Sequence, residues 1–185
     1  MSLENMLLAI PLAPLIGAII AGLFGRQIGR AGAHTVTILG VGAAFVLSVI
    51  MLKRFAIDGA EPYNASVYTW LVSDGVKFEI GFLVDNLTAL MMTVVTFVSL
   101  MVHIYTIGYM ADDDHNWPAH SKAGAASSYQ RFFSYIALFT FAMLMLVVSN
   151  NFLQLFFGWE AVGLVSYLLI GVWYTRPTAI YANLK

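Results

Sequence analysis

Four uncharged apolar runs and one run with a single acid decide what this chain can fold into. Asn5–Gly25, Ala31–Leu52 and Asn86–Ala111 contain no Asp, Glu, Lys or Arg, and neither does the long run Phe132–Trp159. A helix rises about 1.5 Å per residue and the bilayer's hydrocarbon core is roughly 30 Å thick, so about 20 apolar residues make one crossing. Phe132–Trp159 is too long for one crossing, and Asn150-Asn151 supplies the polar turn that divides it. A fifth span then runs over Phe152–Tyr174, with Glu160 as its only charge. Hydrocarbon offers no partners to backbone N–H and C=O groups, so runs of this length are helices. The sequence therefore predicts an all-α polytopic membrane protein with five transmembrane helices.

Composition closes off the alternatives. Hydrophobic residues make up 60% of the 185 and charged residues 10%, against roughly a quarter charged in soluble domains. Nine basic and ten acidic residues leave a net charge of -1, which provides no electrostatic footprint for nucleic acid. The absence of cysteine removes disulfides, thiolate metal ligands and iron–sulfur ligation. The first run begins Met1-Ser2-Leu3-Glu4, without the basic start of a secretory signal, and reads as a retained helix that tolerates Pro11 and Pro14 near its entry. Arg26, Arg30, Lys122, Arg131, Arg176 and Lys185 fall on one side of the predicted membrane, Lys53, Arg54 and Lys77 on the other. The positive-inside rule places the amino terminus outside.

The longest outside segment alternates β-branched and aromatic residues over Val67–Val72 and Val76–Ile80, on either side of Ser73-Asp74-Gly75. Asp-Gly suits a type I′ turn, which predicts a small extracytoplasmic β-hairpin with Leu71 opposite Phe78 and Trp70 opposite Glu79. An exposed hairpin is marginal alone and is expected to lean on a neighbouring protein surface. The chain divides into residues 1–66 (two helices and the start of the loop), 67–82 (hairpin) and 83–185 (three more helices). The inner loop Asp112–Arg131 holds Asp112-Asp113-Asp114-His115 and His120. Without defined ligand spacing this reads as a solvated connector, and no metal is expected.

Glu160 is the most informative residue. Ninth in its span, it lies about 12 Å inside the membrane boundary. A charge there costs about 2.5 to 3.5 kcal/mol or more, so the group faces protein or water, and either pairs or stays protonated. Such a carboxyl exchanges a proton as its surroundings change, which points to a proton relay. A structural carboxyl locking the fifth helix to a neighbour is the alternative. Gly163 and Gly171 near the Glu160 face predict close helix packing there in either case. His103 is the second relay candidate. It belongs to a polar stripe of Asp85, Thr88, Thr96, Ser99, His103 and Thr106, which fits interhelical packing or a hydrated path equally well. By rise His103 is about 12 Å deeper than Glu160, too far for a direct hydrogen bond. Trp159, Trp173 and Tyr174 have the makings of a quinone slot, but aromatics at helix ends are the normal interfacial belt. Nucleotide motifs are absent from the sequence, and no cofactor is expected in this chain.

Four runs carry a family resemblance. Asp85-Asn86-Leu87-Thr88-Ala89-Leu90-Met91-Met92, Val102-His103-Ile104-Tyr105-Thr106-Ile107-Gly108-Tyr109-Met110 with Arg131-Phe132-Phe133, and above all Phe157-Gly158-Trp159-Glu160-Ala161-Val162-Gly163-Leu164-Val165-Ser166-Tyr167-Leu168-Leu169-Ile170-Gly171 resemble the antiporter-like subunit of respiratory complex I called L in bacteria and 5 in mitochondria. The resemblance covers Val67 to the end closely, and the first two helices in character only. It implies a proton-translocating membrane subunit of NADH:quinone oxidoreductase, in the bacterial or mitochondrial inner membrane, with Glu160 at the family's intramembrane glutamate. It implies other complex I subunits, the lipid bilayer and protons as partners, with NADH, FMN, iron–sulfur clusters and quinone held by other subunits. Two departures stand out: the Met110–Arg131 loop is longer than usual, and the family continues through many more helices, including the lysines paired with this glutamate. The chain therefore reads as an amino-terminal fragment, expected to be inactive alone. The rival functions are a subunit of a monovalent cation/proton antiporter and a non-catalytic membrane assembly or anchoring protein.

Overall fold

The computed structural model describes residues 2–74, 76–113, 117 and 122–185; the side chains of residues 76 and 122–127 lie outside the description. Five long helices are present: α1 (Leu3–Leu23), α2 (Gly25–Leu52), α3 (Asn86–Tyr109), α4 (Lys122–Val147) and α5 (Phe152–Ile170). All five are long and apolar enough to cross a membrane. A π-helical turn (Lys53–Ile57) extends α2, a 3-10 turn (Gly171–Trp173) follows α5, and a short α6 (Pro177–Asn183) comes last. Between α2 and α3 stand β1 (Tyr63–Ser73) and β2 (Val76–Val84), paired antiparallel.

α4 is the hub, packing against α1, α2, α3 and α5, while α2 also packs on α1 and α3. Small residues set the close crossings. A Cβ on Gly40 would stand 2.6 Å from the Ala13 carbonyl oxygen on α1, and one on Gly158 2.9 Å from Leu146 Cα on α4. Each approach requires glycine, because the atom it would meet is backbone. One core at the hairpin end gathers Leu7, Ile10, Met51, Phe55, Phe82 and Leu144. A second at the opposite end is built from Met110, Tyr129, Phe133 and Ile136.

The boundaries depart from the sequence expectations in two places. The inner loop expected after the first span is helical, because α2 begins at Gly25 and is broken only at Gly29, whose φ of 69 needs glycine. The expected Asp112–Arg131 loop is also shorter than predicted, since α4 starts at Lys122. Ala-rich Lys122–Ser127 propagates the helix outward from the apolar span.

The hairpin turns where Asp74-Gly75 stands: Ser73 pairs with Val76, and Asp74 has a positive φ of 47, as a type I′ turn needs. Gly75 lies outside the described residues. Leu71 faces Phe78 as expected, but Glu79 faces Thr69 rather than Trp70, because an irregularity between Thr69 and Leu71 leaves Trp70 without a partner. The expected neighbouring surface is in part the chain's own α4–α5 turn. Leu83 N–H donates to the Val148 carbonyl (2.9 Å), Gly81 N–H to Gln154 Oε1 (2.9 Å) and Asn151 Nδ2 to the Glu79 carbonyl (3.0 Å). The distal half, including Tyr68, Trp70, Leu71 and Val72, is exposed.

Candidate functional site

Glu160 and His103 occupy opposite environments. α5 starts at Asn151, whose side chain caps the helix by accepting from Gln154 N–H at 2.9 Å. From there the helix contacts α4 along one face only, with Gln154, Gly158 and Val165 buried. Glu160 lies off that face and is exposed, beside exposed Trp159, Phe156 and Leu164. Among the described residues no hydrogen bond or ion pair reaches its carboxylate. The predicted close packing at Gly163 is not found: a Cβ there would meet nothing within 4 Å, and the close approach falls at Gly158 instead. Gly171 does abut a neighbour, the Asn183 amide at 2.6 Å from a built Cβ.

His103 is wholly buried where α3 faces α4. Its Nδ1 stands 2.8 Å from the Ser99 carbonyl oxygen and 3.3 Å from Ser99 Oγ. A carbonyl can only accept, so Nδ1 carries the hydrogen and Nε2 the lone pair in the neutral ring. Nε2 is buried and has no hydrogen-bond partner among the described residues. Ser99 Oγ continues to Thr140 Oγ1 on α4 at 2.5 Å, and Thr140 donates to the Ile136 carbonyl.

Thr96 and Thr106 of the α3 stripe are also buried, and Thr96 donates to the Met92 carbonyl on its own helix. Thr93, outside that stripe, donates to the Ser48 carbonyl on α2 at 3.1 Å. Asp85 stands just before the first residue of α3. It is the N-cap of α3, its carboxylate accepting from Thr88 N–H at 2.7 Å, and that backbone hydrogen bond holds its pKa below the ordinary carboxylate value.

Two polar groups escaped the sequence reading. His34 on α2 meets Tyr129 on α4, Nδ1 to hydroxyl at 2.9 Å, with the Arg30 guanidinium 5.2 Å from the centre of the Tyr129 ring. Asp113, read as part of a solvated connector, is fully buried. It accepts from Trp117 Nε1 (3.1 Å), Trp173 Nε1 (2.6 Å) and the Ser128 hydroxyl. Burial of a carboxylate demands such donors, and indole N–H groups from two segments supply them. Trp173 is thus an internal hydrogen-bond donor as well as a helix-end aromatic. The Asp-x-x-x-Trp spacing of Asp113 and Trp117 was the available signal; Trp173 is 60 residues away. Asp114, His115 and His120 lie outside the described residues. Among the described residues no group of three His, Asp or Glu side chains is placed to hold a metal ion.

Residues 70–133 match the family described as NADH-ubiquinone oxidoreductase (complex I), chain 5 N-terminus, and residues 149–185 match NADH:quinone oxidoreductase/Mrp antiporter, TM. The NADH-quinone oxidoreductase subunit L of Neisseria meningitidis serogroup A is 62% identical over 178 residues, 96% of this chain and 25% of the relative. The chain belongs to the complex I subunit L/chain 5 family. The subunit L of Rhodobacter capsulatus is 45% identical over 94% of the chain and 23% of the relative. Chain 5 of Arabidopsis thaliana is 43% identical over 97% of the chain and 25% of the relative. This family segment thus spans about a quarter of the length of the curated relatives it matches. The match takes in all five long helices, so the exposed Glu160 face and the buried His103 belong to one continuous family segment.

Proposed function

We propose that this chain is part of a proton-translocating membrane subunit of NADH:quinone oxidoreductase, with Glu160 as a proton relay. One observation carries the reading: an acid in the middle of an otherwise uncharged membrane span, in a chain 62% identical to a subunit L. Glu160 is exposed on this chain, and an ionisable group at that depth does not face lipid without a large cost. Its shield comes, in this proposal, from further helices or from a partner subunit seated on the open face of α5. A cation brought there would favour the ionised carboxylate, and its departure the protonated one. His103 is the second proposed relay, reached from the α2–α4 side. Other complex I membrane subunits are the proposed partners, and NADH, flavin, iron–sulfur clusters and quinone are placed in other subunits. The hairpin and the amino terminus are placed outside the membrane on the basic-residue asymmetry.

In the assembled complex, Glu160→Gln is expected to leave assembly and NADH oxidation by a soluble acceptor intact while lowering proton pumping. Normal pumping with lost assembly would instead make Glu160 a structural lock, as in an anchoring protein. The second matching family covers both the oxidoreductase and Mrp antiporters, which keeps sodium as a rival coupling ion. Pumping that requires sodium would establish that rival.

A further inference from the structure

Phe133 packs against two imidazoles. Its ring is fully buried on α4, with centroids 6.0 Å from His34 on α2, 6.2 Å from His103 on α3 and 4.9 Å from Tyr129 one turn earlier. His34 belongs to a partly exposed polar cluster, in which Arg30 lies over Tyr129 and Tyr129 bonds His34. His103 holds a buried Nε2 lone pair that has no donor among the described residues. The Ser99–Thr140 hydroxyl pair also lines a largely apolar groove of about 490 Å³ formed by α3, α4 and Leu169 of α5. Leaving a buried acceptor without a partner is destabilising. Such a group in a native fold calls for a use, and a water or a protonated imidazole would satisfy it.

We propose that Phe133 is a hydrophobic gate on a proton path from His34 to His103. With the ring in place, no donor among the described residues reaches Nε2 and the path is closed. When the ring swings aside, water enters between the two imidazoles. A proton then leaves protonated His34, is relayed by that water and bonds to Nε2 of His103, leaving His34 neutral and His103 an imidazolium. The inference rests on the proton-translocating reading but uses a route separate from Glu160.

The test uses the full-length subunit in the assembled complex, in sealed vesicles. His34→Ala, His103→Ala and Phe133→Trp are each expected to lower the pH gradient formed per NADH oxidised, with the His34/His103 double variant no worse than the worse single. Phe133→Ala is expected to let an imposed gradient decay faster with the complex idle, and adding His103→Ala to suppress that leak. Phe133→Leu removes the ring with less loss of volume, and replaces the alanine variant if that does not assemble. Unchanged leak in the ring-deletion variants, together with full pumping by His34→Ala and Phe133→Trp, would overturn the gate. Glu160→Gln measured alongside separates the two claims. If it alone lowers pumping, only the gate falls; if it pumps normally, the relay reading falls, while the idle leak still reports on Phe133.

Discussion

α4 and α5 are similar in sequence character and differ in surroundings. Of the apolar window in each span, 44% is buried in α4 and 17% in α5. α4 is ringed by four helices, and its polar groups find partners: Ser134 donates to the Ala18 carbonyl on α1 at 2.7 Å, Thr140 meets Ser99, and Tyr129 meets His34. α5 is seated on α4 along one stripe and leaves Glu160 facing outward. Inside a closed bundle, polar residues in an apolar span become internal hydrogen bonds. On an open face the same kind of residue needs a partner that the described residues do not contain.

Removing a polar hub on the closed side gives the largest expected effect. Asp113→Ala takes the acceptor from two indole N–H groups and the Ser128 hydroxyl at once, at about 1–3 kcal/mol for each donor left unsatisfied. The thermal unfolding midpoint in detergent should fall well below that of the unsubstituted chain, and Asp113→Asn should fall between the two. An unchanged midpoint would show that the α3–α4 connection does not depend on this carboxylate.

A pair of glycines on α5 sharpens the contrast within one helix. Gly158→Ala puts a Cβ 2.9 Å from Leu146 Cα and 3.0 Å from its backbone nitrogen, so α4 and α5 must separate, at a cost of about 1–3 kcal/mol for overpacking. Gly163→Ala meets nothing within 4 Å and should be neutral or raise stability by up to about 1 kcal/mol, through helix propensity. The informative comparison is between the isolated chain and the assembled complex. Should Gly163→Ala prove harmless in the first and damaging in the second, the Glu160 face is covered by another element in the assembly. If it is harmless in both, the shield that the relay requires does not pack closely at this position.

The same contrast marks what was legible in the sequence. Uncharged runs of membrane length disclose five helices because hydrocarbon allows the backbone no other solution. Asp74-Gly75 disclosed the hairpin turn because few residue pairs adopt positive φ in succession. The slip of Trp70 out of register was not legible, since a bulge leaves the alternating pattern almost intact on either side. Asp113 was hidden by its neighbours: three consecutive acids look solvated, and the Trp173 that buries one of them is far along the chain. His34 and Tyr129 meet only because α2 and α4 pack, and that contact together with the α3–α4 contact brings Phe133 against both imidazoles. Glu160 was legible as an anomaly but not as an environment, because its burial depends on what sits against α5.

The smallest expected effect lies at the entrance to α3 and calibrates the closed side from its end. The Thr88 backbone N–H holds the Asp85 carboxyl below its ordinary pKa, which is about 3.9 in unfolded chains. The sign follows from that depression: the ionised cap contributes its full stability above the ordinary value, and the contribution disappears as pH falls through the lowered one. An N-cap of this kind contributes about 1 kcal/mol. Asp85→Asn keeps a side-chain oxygen that accepts from Thr88 without ionising. The difference in unfolding midpoint between the unsubstituted chain and the Asp85→Asn variant should therefore change as pH is lowered through the acid range, the unsubstituted chain losing stability relative to the variant. A difference that stays constant with pH would mean that the α3 terminus is held by its packing on Ala89 and Met92 in the hairpin-end core rather than by its cap.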